Sequence, residues 1–304
     1  MRSGFFILLI LTFSFIPLSG INKLYFCTAA DEKHFPLLCN LIGSIHKVHF
    51  ADLGEVMVFN LGFTQEQCTQ LRRMAKVSLH EVELVHPDLL KLIPTDNSSR
   101  VVRGCFAWKP VVLKQALDLY PHEAILYLDA GALIRKPIAH LFEHIRHHGY
   151  FLIDCGHNIR WMTTRYVREL FELHKPERQW ILDETTCGVA GGFQGITRAI
   201  YDSYILPLYN YAKELRPFID DGTTPNGFGT GRHDQPLFSI QARLLGMQVH
   251  IMDPTQKKPM LLEVGRTKTP FYITWDTRYV NDMTQVYQCR WRYAGDYVGF
   301  IKYR

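Results

Sequence analysis

Three familiar motifs are missing from this sequence. No GxGxxG follows its first apolar strand, no GxxxxGK[ST] occurs anywhere, and there is no GxSxG. Dinucleotide enzymes and P-loop NTPases are thereby left without their phosphate cradle, and α/β-hydrolases without their nucleophile elbow. Cysteine is sparse, 7 in 304 residues with no CxxC pair, which excludes a disulfide scaffold and a cysteine-based structural zinc. Charge of one sign is sparse too. The balance of 34 Lys+Arg over 29 Asp+Glu is +5, too little to imply nucleic acid as a partner. Internal repeats and low-complexity segments are absent. What is plentiful is apolar: 47% hydrophobic against 21% charged residues supply a core for one large or two small domains, and exclude disordered and fibrous classes.

An apolar run from Phe5 to Leu18, preceded by Arg2, spans 14 residues. A helix needs about 20 to cross a bilayer, so residues 1–20 read as a secretory signal peptide or a short signal-anchor. A cut after Gly20 would leave Leu18 where a small residue is preferred, which keeps the anchor reading open; only then would a membrane be a partner. Asn97-Ser98-Ser99 is a glycosylation sequon in a polar stretch, Pro94 to Arg103, expected to be an exposed loop. Both features imply the ER or Golgi lumen or secretion. Seven cysteines allow at most three bridges and one free thiol, and Cys27 and Cys155 in strand-like runs equally fit buried thiols. Residues 266–304 carry seven Lys/Arg against three Asp/Glu, interleaved with Phe271, Trp275, Trp291, Tyr297 and Tyr303. That segment is either a surface for an anionic, sugar-bearing ligand or an aromatic sheet edge with solvated arginines.

From Lys23 strand-like and helix-like segments alternate. Leu24–Ala29, Glu55–Leu61, Val77–Val85 and Ala124–Leu128 read as strands; Phe35–Val48 and Pro110–Leu119 read as helices. Thr64 and Gln67 form a capping box for another helix. The alternation predicts an α/β fold, a mostly parallel sheet covered by helices on both faces. Ligands of such sheets gather at the carboxyl ends of the strands. That logic selects Thr28 and Asp31 after the first strand, Asp129-Ala130-Gly131 after the fourth, and Asp154 after Phe151-Leu152-Ile153. It also selects His250. His144, His147 and His148 lie on a helical segment beside Leu141, Phe142 and Ile145, and read as a solvated face rather than a metal cluster.

Tyr127-Leu128-Asp129-Ala130-Gly131 resembles the strand and acidic turn of GT-A glycosyltransferases, especially the glycogenin-like family 8. Further matches follow in order: Thr28-Ala29-Ala30-Asp31 near the start, Gly188-Val189-Ala190-Gly191-Gly192-Phe193 about sixty residues after the turn, and His233-Asp234-Gln235-Pro236-Leu237 at a helix start. Ala107-Trp108-Lys109-Pro110 followed by Leu128-Asp129-Ala130-Gly131 is similar to an uncharacterised animal glycosyltransferase-like group. The likeness spans about residues 22–255, and with the tail implies one GT-A-like domain over 22–304.

The resemblance implies sugar transfer from a nucleotide-diphosphate donor, a UDP-sugar, to a glycan or glycoprotein, with retention of anomeric configuration. It places the nucleobase at Thr28, Ala29 and Asp31, and the donor sugar at Asp234 and Gln235, the residues expected to be catalytic. Gly131 stands where the family has the second aspartate of its metal-binding turn. Mn²⁺ or Mg²⁺ would therefore need Asp129 joined by Asp154, His233 or His250. Otherwise Lys109, Arg103 or the basic tail would neutralise the diphosphate without metal. Trp108 is either a packing residue or a stacking platform. Gly191 and Gly192 either admit a sugar to the backbone or mark a bulge, and Asp234 is either a sugar contact or an N-cap. The stretch from Asp220 to Gly231 is either a mobile lid or a disordered surface loop. Two other classes remain: a catalytically inactive binding module of the same fold, and a secreted structural or partner-binding protein.

Overall fold

The computed structural model describes residues 23–95, 101–250, 261–264, 267–270, 273–276, 292–293 and 296–304. The N-terminal apolar run, the sequon, Phe271, Trp291 and the side chain of Trp275 lie outside the described residues.

The chain opens with β1 (Leu24–Ala30), α1 (Phe35–His49) and β2 (Leu53–Asn60). Pro36 sits in the first turn of α1, where its missing N–H costs nothing, and Leu38, Leu41, Ile42 and Ile45 form the buried stripe. The capping box of α2 (Gln65–Arg73) is present in both halves: Gln67 N–H donates to Thr64 Oγ1 at 3.2 Å, and Thr64 N–H to Gln67 Oε1 at 3.1 Å. β3 (Val77–Glu81) stops four residues short of Val85. β4 (Leu92–Pro94) and β5 (Val101–Arg103) pair as antiparallel strands, so both ends of the expected exposed loop are strands instead. α3 (Trp108–Leu119) begins two residues before Pro110. Proline is accommodated there because first-turn N–H groups have no helical partner.

There follow β6 (Ile125–Leu128), β7 (Ala132–Ile134), α4 (Ala139–His148), β8 (Tyr150–Asn158), α5 (Ile159–Met162), α6 (Arg165–Leu170) and β9 (Cys187–Ile196). Then come α7 (Leu206–Glu214), α8 (Asp234–Leu244) and β10 (Val249–His250). Seven strands form one sheet in the order β10-β8-β9-β6-β1-β2-β3. Neighbours are parallel except where β9 runs antiparallel to both β6 and β8. Alternate residues serve opposite faces. Phe26, Val56, Val58 and Leu126 pack with α1 and α4, whereas Cys27, Met57, Phe59 and Ile125 pack with α3, α7 and α8. The expected α/β class, a mostly parallel sheet with helices on both faces, is what the chain forms.

Two features depart from expectation. His144 is buried, with its ring 5.5 Å from Phe151 and 5.2 Å from His250, because it follows Leu141 by three positions and extends the apolar stripe; His147 and His148 are exposed. The loop after Asp220 is folded around one carboxylate rather than disordered. Asp220 Oδ1 accepts from Gly222 N–H at 2.9 Å, and Oδ2 from Gly229 and Gly231 N–H at 2.8 Å each.

Residues 296–304 return to the start of the fold. Tyr297 N–H donates to Asn40 Oδ1 on α1, Lys302 N–H donates to His46 Nδ1 at 3.0 Å, and Arg304 N–H to Arg73 O at 2.8 Å. A Cβ on Gly43 would lie 2.0 Å from Tyr297 O, so only glycine lets the two backbones meet. For this stretch, the basic aromatic tail is packing material. β13 (Ile273–Asp276), after β11 (Leu261–Val264) and β12 (Thr267–Pro270), pairs antiparallel with β7.

Candidate active site

The antiparallel course of β9 brings its beginning to the carboxyl end of β6. Leu128 pairs with Phe193, so Gly191 and Gly192 lie beside the turn that follows Leu128. Asp129 N–H donates to Gly192 O at 2.9 Å, and Asp129 O accepts from Ala132 N–H at 2.9 Å, which closes the Ala130-Gly131 turn. The Asp129 carboxylate is aimed from below: Tyr127 donates its hydroxyl to Oδ1 at 2.7 Å. Tyr127 is wholly buried and shares a sheet face with Asp129 because the two are two residues apart in an extended segment. Sequence reasoning passed over it. The available signal was a tyrosine in an otherwise apolar strand, whose hydroxyl must find a partner on burial.

Lys109 enters from the first turn of α3. Its ammonium lies 3.1 Å from Asp129 Oδ1, 3.3 Å from Asp129 Oδ2 and 3.2 Å from Asp234 Oδ2. The rings of Phe106, Trp108 and Tyr127 surround it at 5.0, 5.7 and 5.9 Å to their centroids, within cation–π range. A cation at a helix N-terminus opposes the macrodipole, so the carboxylates and rings hold it there. Trp108 itself is buried, and its indole N–H donates to Arg103 O at 3.2 Å. It packs rather than offering a stacking face.

Asp234 is the first residue of α8 and is 3% exposed. Its Oδ2 meets Lys109 as an ion pair by distance, although the direction of approach does not complete a hydrogen bond. Burial pushes the Asp234 carboxyl up; the Lys109 charge opposes this, and the Asp129 charge adds to it. A Cβ on Gly191 would stand 2.2 Å from Asp234 Oδ2. The group that approaches the Gly191 backbone is therefore this carboxylate. The backbone around the cluster is strained: Cys105, Phe106 and His233 adopt φ of 47°, 61° and 55°, a left-handed region that non-glycine residues rarely enter.

A second group gathers where β1 ends. Asp31 binds His34 Nδ1 at 2.6 Å and receives Arg103 Nη2 at 3.2 Å and Nε at 3.3 Å, while Arg103 Nη1 donates to Leu90 O at 2.7 Å. Burial alone would raise the Asp31 carboxyl, but the His34 hydrogen bonds and the His34 and Arg103 charges hold it at about 2. Ala29 is a buried strand residue without polar chemistry of its own. Thr28 Oγ1 and Gln235 Oε1 are buried atoms with no hydrogen-bond partner among the described residues. Each such orphan costs about 1–3 kcal/mol.

The expected metal ligands do not converge. His250 lies on β10 at the sheet edge, three strands from β6, with its ring stacked on Phe151 at 4.7 Å. Strand-end reasoning identifies an end of the sheet and not which strands are adjacent. Asp154, on β8, turns its Oδ1 to Gly156 N–H. His233 Nδ1–H donates to Phe218 O at 2.9 Å. Among the described residues no three His, Cys, Asp or Glu side chains come together to hold an ion, and the cation that stands between Asp129 and Asp234 is the Lys109 ammonium.

No protein-family model matches the sequence. No curated protein matches it either. Among solved structures, the chain is similar to core-mannan synthase A of Aspergillus fumigatus in its Mn/GDP form, at 13% identity over 76% of this chain and 72% of that one, TM-score 0.45. It is similar to mouse xyloside xylosyltransferase 1 at 15% identity over 76% and 85%, TM-score 0.45. A third is the glycosyltransferase GlyE of Streptococcus pneumoniae, at 14% identity and TM-score 0.42; the match takes in 76% of this chain and 45% of that one.

Proposed function

We propose that this protein transfers a sugar from a nucleotide-diphosphate donor, a UDP-sugar, to a hydroxyl of a glycan or glycoprotein in the lumen of the secretory pathway. One observation carries the reading: Lys109, Asp129 and Asp234, from three separate elements, converge at the carboxyl ends of the strands against the bare backbone of Gly191. Such a cluster is costly to bury, and function is the usual reason it is kept.

In the reaction the bond from the anomeric carbon to the phosphate oxygen breaks. The nucleoside diphosphate leaves with the electron pair, the acceptor oxygen forms the new bond, and the acceptor proton is released. The chain's residues divide the work. Asp31, held by Arg103, and the Thr28 hydroxyl receive the nucleoside. Asp129, aimed by Tyr127, faces the ribose and diphosphate, with the Lys109 charge beside the leaving group, where negative charge develops. Asp234 and Gln235 meet the sugar, whose anomeric carbon becomes more positive as the bond stretches. Retention of configuration is the outcome that the family 8 likeness supports.

A thermal-shift screen of UDP-, GDP- and CMP-sugars, followed by a donor-hydrolysis assay, tests this. Asp129→Ala and Asp234→Ala are each expected to lower turnover by about 100-fold or more while the protein stays folded. Binding without turnover would make the protein a sugar-nucleotide-binding module. No shift with any nucleotide sugar would leave the partner-binding reading.

A further inference from the structure

Resting on the glycosyl-transfer reading above, we propose that the Lys109 ammonium fills the cation position between Asp129 and Asp234, so that the nucleotide-diphosphate donor binds without a divalent metal. Three observations carry the inference independently of any activity. The first is spacing. The three carboxylate oxygens stand 3.1–3.3 Å from Lys109 Nζ, the separation of N–H···O contacts, whereas Mg²⁺ holds oxygen at about 2.0–2.1 Å.

The second is the wall around that point. Phe106, Trp108 and Tyr127 turn rings toward the ammonium, and rings stabilise an organic cation but give no lone pair to a metal. The third is the donor inventory. Gly131 brings no side chain, and among the described residues no three His, Cys, Asp or Glu side chains come together to hold an ion. All 14 histidines of the sequence fall within the described residues, so no other segment can deliver an imidazole. A divalent ion taken up at Asp129 would lie within a few ångströms of a fixed positive charge that is 95% buried, and the two would repel. The cation that meets the diphosphate is then part of the chain, already in place before the donor arrives.

The test uses the full chain and two probes, Mn²⁺ alone and UDP. Mn²⁺ uptake is read from the loss of its free-ion magnetic-resonance signal, and UDP affinity by calorimetry in chelator and in Mn²⁺. The expected result is no Mn²⁺ uptake and a UDP dissociation constant that changes by less than about threefold between the two buffers. Lys109→Ala leaves two carboxylates without a cation and is expected to gain a rise in melting temperature with Mn²⁺ that the native protein lacks. Should that variant fail to fold, Lys109→Arg keeps the charge and is expected to remain indifferent to Mn²⁺. Uptake of Mn²⁺ by the native protein with UDP, together with UDP binding about tenfold or more tighter than in chelator, overturns the inference and leaves the glycosyl-transfer reading standing. Failure of UDP and of every nucleotide sugar to bind in either buffer removes that reading, and this inference with it.

Discussion

Gly191→Ala is the sharpest probe of the cluster, because it adds a single methyl group at a position that no ligand needs to touch. The new Cβ would stand 2.2 Å from Asp234 Oδ2, roughly 1.2 Å inside ordinary contact. β9 is locked between β6 and β8, so the Asp234 carboxylate must yield, and any shift disturbs its 3.2 Å contact with Lys109. Overpacking of this kind costs about 1–3 kcal/mol, and weakening a buried ion pair adds to it, so about 2–4 kcal/mol is expected. Urea unfolding measures the loss directly. Gly299→Ala, whose Cβ meets nothing within 4 Å, is the matched control and should change by no more than about 0.5 kcal/mol. A double-mutant cycle then isolates the contact. With Asp234→Ala in place the clash partner is gone, and adding Gly191→Ala should cost about 1–3 kcal/mol less than it does in the native background. Donor turnover should fall with stability in the single variant, because the displaced group is the one assigned to the sugar. Unchanged stability, or strict additivity with Asp234→Ala, would refute the packing argument and the assignment built on it.

Two further outcomes are expected. Asp220→Ala removes the acceptor of three loop N–H groups; cleavage within residues 221–231 by a nonspecific protease should quicken about tenfold or more, and unchanged kinetics would show that the carboxylate does not order the loop. His46 is held neutral by burial, with its pKa pushed down from 6.5 to about 4, while Nδ1 accepts from Lys302 N–H. The unfolded chain takes up a proton near pH 6.5 and the folded one does not. This stability is thus complete above pH 6.5 and falls by about 1.4 kcal/mol per pH unit toward pH 4. Unfolding at pH 7.5 and pH 4.5 should differ by about 2.5 kcal/mol less in His46→Asn than in the native protein, and equal differences would sink the assignment.

The layered fold was readable because its signals are local. The apolar run Leu24–Ala29, the Thr64–Gln67 box and the stripe of α1 each depend on residues within one or two turns of each other. The cluster was readable only in part. Asp129 and Asp234 were marked by motif position and Lys109 by its neighbours, but their convergence depends on β9 running antiparallel beside β6, which no local pattern encodes. Gly131 reads in the sequence as a lost carboxylate. In three dimensions the relevant change is the lysine arriving from α3, 20 residues upstream of Asp129. Gly191 shows the same limit from the other side: a glycine announces that something comes close, but not what. His250 failed because the edge of a sheet and its centre look alike at the level of a strand end.

The meeting of Tyr297 with Gly43 has a consequence for how the chain is made. The helix that covers one face of the central strands is finished early in synthesis, yet the backbone that seats against it leaves the ribosome about 250 residues later. At about 5–20 residues per second that is a wait on the order of ten seconds or more. Over that interval the side of α1 around Gly43 and His46 lacks the backbone that finally seats against it, and the nascent domain carries an open seam there. Chaperone contact during translation should therefore concentrate on residues 35–49, and should end only when the segment carrying Tyr297 and Lys302 emerges to close it.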